Sequence, residues 1–521
     1  MDTRLLDRAC LLALCSCAAI ACGSDERPDP TTVKLADGQV HGIVTEASRQ
    51  FLGIPYAKPP VGDLRWKAPQ PPDPWKDVRD ATQFGKRCAQ IANPTVQNLA
   101  SNDEDCLYLN VWTPFPTPKQ AVPVMVWIHG GGNVNGSASE PVPFINIGLF
   151  YSGQFLAENH DVIVVSLNYR LGLFGFFAHP DLVADGSSGN QGLLDQQMAL
   201  KWVHNNIVQF GGDPGNVTIF GESAGSFDVC YHVAAPSSSG LFHRAISESG
   251  GCTTRQTTKA EAEAAATGFA TDVGCTGPGA LACLRGKAAA DLMATPDVDG
   301  HFLPDQPRTL YNTGQIAKVP YLLGSNTDEG TLFLPAAKPM TDQQYMDALT
   351  AMFGATAAGQ VATVYKVTDF ANGLPNPQTA ALARVIGDSR LVCTTFDTAE
   401  RMAHAGVPVY MYNFDVPVPV AISATLGATH GSELTSVFGT SPTFAADPAG
   451  KAVSDLMQRY WTNFASTGDP NGGSDLKWPA LTEAMNVRVN FALQQPSIVT
   501  DFRATQCAFW RAGYDMQFVG P

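Results

Sequence analysis

Basic residues are scarce in this chain of 521 amino acids: 33 Lys and Arg stand against 48 Asp and Glu, for a net charge of −15. Nucleic acid and anionic membrane surfaces both reward Lys and Arg, so neither is an expected partner. Charged residues of either sign make up only 16% of the chain while 45% are hydrophobic, the reverse of a disordered chain's balance. No long low-complexity linker and no internal repeat divide the sequence. Twelve cysteines are present, four of them before residue 23, and the remaining eight contain no Cys-x-x-Cys pair. That spacing argues against a zinc site, and nothing else in the sequence calls for a metal or a cofactor.

What is there begins with an export signal. Arg4 and Arg8 precede the apolar stretch Ala9 to Ala21, which is too short to span a bilayer as a helix. It runs into Ala19-Ile20-Ala21-Cys22 and then the polar Gly23-Ser24-Asp25-Glu26-Arg27-Pro28. This resembles a bacterial lipoprotein cleavage box with Cys22 as the lipid-bearing first residue. Cleavage after Ala21 by ordinary signal peptidase fits the small-x-small rule as well; the position of the cysteine favours lipidation. The expected layout is a signal peptide over 1–21, a tether over 22–31 and a folded domain over 32–521. Export places that domain in the periplasm, on the outer membrane or outside the cell, with membrane contact only through the N-terminal lipid. In an oxidising compartment, the even number of Cys88, Cys106, Cys230, Cys252, Cys275, Cys283, Cys393 and Cys507 suggests disulfides.

Apolar strand-like runs at 124–128, 162–167, 217–220, 244–247, 319–324 and 409–414 alternate with helical stretches such as 190–208 and 260–270. Such alternation predicts an α/β fold with a large, mostly parallel central sheet covered on both faces, and a small antiparallel part near Val33 to Trp66. Directly after the run Val217-Thr218-Ile219-Phe220 comes Gly221-Glu222-Ser223-Ala224-Gly225. A serine flanked by glycines at a strand end suits a nucleophile elbow, which lifts the hydroxyl into the open and aims the next helix's amides at the same point.

A serine hydroxyl needs a general base, usually histidine, oriented by a carboxylate. When acid and base follow the serine in the chain, the choice narrows to His232, His243, His301, His404 and His430. His232 falls in the helix after Ser223, His243 just before the next strand, and His301 ahead of the strand whose end should carry the acid. His404 sits in a surface helix ending at Gly406. His430, in the small-residue loop Gly427-Ala428-Thr429-His430-Gly431, is the expected base. Beyond strand 319–324, Asp328 and Glu329 compete as the acid, and pattern alone does not choose. His129-Gly130-Gly131-Gly132 follows strand 124–128, so Gly131 and Gly132, with the amide of Ala224, are the expected oxyanion donors.

These pieces together resemble the type-B carboxylesterase/cholinesterase family of the α/β-hydrolase fold. The likeness runs from about Val33 to Phe518. Phe210 to Gly225 fits the family's serine motif and Glu104-Asp105-Cys106-Leu107-Tyr108-Leu109-Asn110-Val111 its second motif. Gly53-Ile54-Pro55-Tyr56-Ala57, Asn168-Tyr169-Arg170-Leu171-Gly172 and His430-Gly431-Ser432-Glu433-Leu434 are further family-like blocks. The resemblance implies a serine carboxylesterase acting on a small-molecule ester, with Ser223, Glu329 and His430 as its triad. It implies the disulfides Cys88–Cys106, Cys275–Cys283 and Cys393–Cys507, which leaves Cys230 and Cys252 to pair with each other or stay as buried thiols. Glu222 has an open role.

The departures concern substrate. Cholinesterases hold the choline cation on a tryptophan just before an Asn-Pro pair; aligning Asn93-Pro94 puts Ala92 there, and residues 89–105 contain no aromatic. Losing that ring removes roughly 0.5–2 kcal/mol of cation–π attraction. Asn133 stands after the Gly triplet where phenylalanine is common, and an apolar-aromatic insert including Pro141-Val142-Pro143-Phe144-Ile145 follows. The expected reaction is hydrolysis of carboxylic esters. Specialised action on a xenobiotic, toxin or polyester is the alternative, ahead of lipase, cholinesterase or a non-catalytic binding role.

Overall fold

The structure is a computed structural model that describes residues 29–515 apart from 93–99, 143–147, 186–187, 294–304, 335–337, 374, 418–422, 445 and 483–485. The signal region with Cys22, Asn93-Pro94, Pro143-Phe144-Ile145 and His301 lie outside the described residues.

Runs of Val, Ile and Leu with no polar alternation make strands buried on both faces. Eleven strands form one sheet: β1 (Ile43–Val44), β2 (Ser48–Pro55), β3 (Tyr108–Pro114), β4 (Val122–Ile128), β5 (Ile163–Leu167), β6 (Gly212–Glu222), β7 (Arg244–Glu248), β8 (Tyr321–Asn326), β9 (Val409–Phe414), β10 (Val487–Phe491) and β11 (Ser497–Thr500). Their spatial order is β1-β2-β3-β5-β4-β6-β7-β8-β9-β10-β11. From β5 to β10 across the sheet every neighbour is parallel, while β1, β2, β3 and β11 join antiparallel at the two edges. The early chain adds a separate small sheet in which Thr32–Lys34 pairs antiparallel with Gln39–His41, and Arg79–Asp80 runs parallel to the latter.

Several strand boundaries differ from the sequence reading by one to five residues, and two are informative. β8 starts at Tyr321 rather than at Val319, because Pro320 has no N–H to donate to a ladder. β6 extends back to Gly212, where it pairs with Val122 across a register shift.

Successive residues point to opposite faces. Val124, Val126 and Ile128 of β4 join one apolar core with α1 (Gln191–Asn206), through Trp202 and Val203, and α2 (Ala224–Ala234), through Val229 and Val233. The same face carries α3 (Pro377–Gly387) and α4 (Cys393–His404). Met125 and Trp127 face the other way, onto Met457, Trp461 and Phe464 of α5 (Pro448–Thr467). Each such side chain contributes about 1.5–3 kcal/mol on burial. Four disulfides staple the outer layers: Cys88–Cys106, Cys230–Cys252, Cys275–Cys283 and Cys393–Cys507. The last closes 114 residues and ties α4 to α6 (Ala504–Asp515).

Candidate active site

β6 ends at Glu222 and α2 opens at Ala224, so Ser223 alone makes the turn, with φ 55° and ψ −123°. A left-handed φ is uncommon for a residue with a Cβ and persists only where the surroundings enforce it. Here they do. Ser223 N–H donates to the carbonyl of Glu248 at 3.0 Å, and the first turn of α2 presses against the end of β4. A Cβ on Gly225 would sit 2.1 Å from the carbonyl oxygen of Ile128. Ser223 stays half-exposed in an otherwise buried turn.

β4 is the sheet neighbour of β6, with Ile128 opposite Gly221, so the loop after β4 adjoins the elbow. A Cβ on Gly130 would stand 3.0 Å from that of Ser223. Gly131 has φ +108°, and a side chain there would collide with the carbonyl of Asn135 at 2.0 Å. The N–H groups of Val134 and Asn135 both donate to the carbonyl of Gly131, at 3.2 and 3.1 Å. Among the described residues the N–H groups of Gly131 and Gly132 take no acceptor. The N–H of Ala224 belongs to the first turn of α2, whose amides have no partner within the helix. The glycine loop after β4 and the start of α2 thus meet at the elbow.

The loop after β9 delivers His430. Its Nδ1 lies 2.7 Å from Oε2 of Glu329, the first residue past the β8 turn, and Glu329 Oε1 accepts from the N–H of Asn326 at 2.6 Å. Asp328, the competing acid, faces away. It accepts from the N–H of Ala428 at 3.1 Å and pairs with Arg384 of α3 at 3.3 Å, so it pins the turn that leads into His430. Burial raises its pKa, with Arg384 opposing. Asn326 completes the link by donating to the carbonyl of Thr429 at 2.9 Å. The ring of Phe333 lies 5.1 Å from that of His430 and is 45% exposed, forming an apolar edge to the opening.

His430 Nε2 makes no hydrogen bond among the described residues; it lies 3.1 Å from Oε1 of Glu222, beside Ser223 in the chain. Burial alone would lower the pKa of His430, but Glu222 and Glu329 outweigh it and push it up to about 9. Glu222 is raised to about 7 by burial, with His430 opposing and Glu329 adding to the rise.

Two more glutamates belong to this cluster, and neither was singled out from the sequence. Glu433, three residues past His430, accepts from Asn326 and from Ser249, and burial with the Glu222 charge pushes it up to about 8. Glu248 is the register partner of Glu222 on β7, and Trp461 Nε1 donates to its carboxylate at 2.8 Å. Burial raises Glu248 well above the usual carboxylate range. The signal for Glu433 was its place in the His430 block; for Glu248 it was an acidic residue ending an otherwise apolar strand.

The other histidines are occupied elsewhere. His232 is buried in α2 against Gln196 and Ser238, and His404 Nδ1 contacts the carbonyl of Glu400 at the surface. His243 Nδ1 accepts from the N–H of Val217 at 3.1 Å. Among the described residues no group of three or more His, Cys, Asp or Glu is arranged to hold a metal, and no helix is long and apolar enough to cross a membrane.

Residues 29–510 match the model of a family described as the carboxylesterase family. A cholinesterase of Mus musculus is 36% identical over 550 aligned residues, which cover 94% of this chain and 88% of its own. An acetylcholinesterase of Bungarus fasciatus is 34% identical over 552, covering 96% and 88%.

Proposed function

Because this chain belongs to the carboxylesterase family and is therefore a serine ester hydrolase of the α/β-hydrolase fold, we propose that Ser223, His430 and Glu329 carry out its reaction. Ser223 Oγ attacks the ester carbonyl carbon while His430 Nε2 takes its proton. The tetrahedral intermediate places its oxyanion on the N–H groups of Gly131, Gly132 and Ala224. His430 returns the proton to the departing alcohol, leaving an acyl-enzyme. Water, deprotonated by the same imidazole, then releases the acid and restores Ser223. Glu329 fixes the imidazole with Nε2 toward the serine and stabilises the imidazolium. The observation that carries this reading is the 2.7 Å contact from His430 Nδ1 to Glu329, with Nε2 3.1 Å from Glu222, the residue before Ser223.

The substrate class we favour is a neutral carboxylic ester. Choline esters are the second reading, supported by the names of the two relatives. Ala92 and the lack of any aromatic over 89–105 weigh against it. We also take residues 1–21 as an export signal, Cys22 as the lipid-bearing residue and 32–521 as one catalytic domain. The four disulfides fit an oxidising compartment.

Ser223→Ala should lower turnover of a p-nitrophenyl ester by several orders of magnitude while the fold, read by circular dichroism, is unchanged. Near wild-type turnover would remove Ser223 from the reaction. With the wild-type enzyme, kcat/KM should be higher for alkyl and aryl esters than for choline esters of the same acid; the reverse order would favour the second reading.

A further inference from the structure

The two halves of the oxyanion site come from different places. Gly131 and Gly132 lie in a glycine tract after β4, and Ala224 starts α2 after β6. Glycines have no side chains to anchor them and wide conformational freedom, so something else must set the distance between the halves. The next residue, Asn133, has φ +58°, a left-handed conformation that Asn tolerates better than most residues. That turn sends its side chain inward. Asn133 Nδ2 donates to Oδ1 of Asp228 at 3.0 Å, and Asn133 Oδ1 shares the one proton of the Tyr169 hydroxyl, 2.9 Å away, with the carbonyl of His129 at 2.8 Å. Its carbonyl accepts from the N–H of Gly172 at 2.6 Å.

Asp228 sits on α2 four residues after Ala224, one helical turn along, and is fully buried. Its other oxygen accepts from Gln196 Nε2 at 2.6 Å. With that amide nitrogen committed, Gln196 Oε1 faces His232 Nε2 at 2.9 Å, and His232 Nδ1 meets the Ser238 hydroxyl at 2.8 Å. Burial pushes His232 down to about 3, so it is neutral and its proton sits on Nε2. A directed chain of hydrogen bonds therefore fixes Asp228 from behind and leaves Oδ1 aimed at Asn133.

We infer that the Asn133–Asp228 hydrogen bond is a brace that sets the spacing between the Gly131–Gly132 amides and the Ala224 amide, making both side chains positioning residues for the oxyanion. The inference rests on the oxyanion assignment proposed above. A brace of this kind acts on the transition state, where the oxyanion forms, and little on the bound ester. Each single change disturbs it predictably. Asp228→Asn sets two amide N–H donors, from Asn133 and Gln196, against one carboxamide oxygen. Asn133→Asp sets two carboxylates face to face. The reciprocal double variant restores the Asn133–Asp228 and Gln196 bonds: Asn at 228 donates to Asp at 133 and accepts from Gln196, and Asp at 133 keeps an acceptor for Tyr169.

The experiment measures kcat and KM for a p-nitrophenyl ester, normalised to sites titrated with an organophosphonate, so unfolded protein is not counted. Affinity for a trifluoromethyl ketone, a tetrahedral-intermediate mimic, is measured alongside. Both single variants should lose about tenfold to a hundredfold in kcat, less than complete loss of an oxyanion donor costs. KM should hardly change, ketone affinity should fall in step with kcat, and the double variant should recover most of both. Single variants that turn over at the wild-type rate per titrated site overturn the brace. So does a double variant no better than the singles, or a loss confined to KM. Failure of the underlying oxyanion reading would look different: Ala224→Pro, which removes one proposed donor at a first helical position that tolerates proline, would leave kcat per titrated site of the otherwise wild-type enzyme unchanged.

Discussion

His232, in the middle of α2, and His430, in the loop after β9, are both buried, yet the first is pushed down to about 3 and the second up to about 9. Burial disfavours the imidazolium in both places. The difference lies in their neighbours. His232 meets a carboxamide oxygen and a hydroxyl, which give a neutral ring all it needs. His430 meets Glu222 and Glu329, with Glu433 close enough to add its charge. A neutral setting makes the imidazole a structural link, and an acidic one makes it a group that changes protonation.

The contrast can be broken most severely at Glu329. Glu329→Gln keeps the shape but removes the charge that orients His430, and an amide can donate to Nδ1 and fix the wrong tautomer. Steady-state kinetics should show kcat lowered by about 10,000-fold, the scale seen when a triad carboxylate becomes an amide; a loss below tenfold would separate Glu329 from the chemistry.

A smaller effect sharpens the acidic side. In the reaction proposed above only neutral His430 takes the Ser223 proton, so kcat/KM should fall as pH drops through the raised pKa of His430, an acid limb above that of an ordinary histidine. Glu222→Gln removes one of the charges that raise it. The acid limb should then move to lower pH, and a limb that stays put or moves upward would rule out Glu222 as a main source of the shift.

The smallest effect tests the neutral side. His232→Leu leaves Gln196 Oε1 and the Ser238 hydroxyl facing an apolar group. Denaturant unfolding should show a loss of about 1–3 kcal/mol, the usual cost of buried polar groups left unpaired. An unchanged midpoint would mean that these partners find water.

Much of this site was readable in the sequence because its signals are local. A strand is written as an apolar run, an elbow as five consecutive residues, and a flexible donor loop as three glycines. The order of serine, acid and base then reduced five histidines to one. What local pattern could not do was separate Asp328 from Glu329. They are neighbours on one turn, and their fates depend on partners that come later in the chain: Arg384 on α3 for one, His430 for the other. The glutamate cluster was hidden for the same reason. Glu222 and Glu248 meet only because β6 and β7 pair in that register, and Glu433 joins when the His430 loop folds across the strand ends. Asn133 was visible as a departure, but its partner Asp228 lies 95 residues away.

The strand order carries one consequence in time. Gly131, Ser223, Glu329 and His430 come from the ends of β4, β6, β8 and β9, so the centre is spread over some three hundred residues of chain and its last member, His430, follows β9. A chain whose last strands have not yet joined the sheet holds Ser223, Glu329 and His430, the residues proposed for the reaction, far apart. In the reaction proposed above, hydrolysis begins only when β9 pairs with β8 and the loop after it brings His430 onto Glu329.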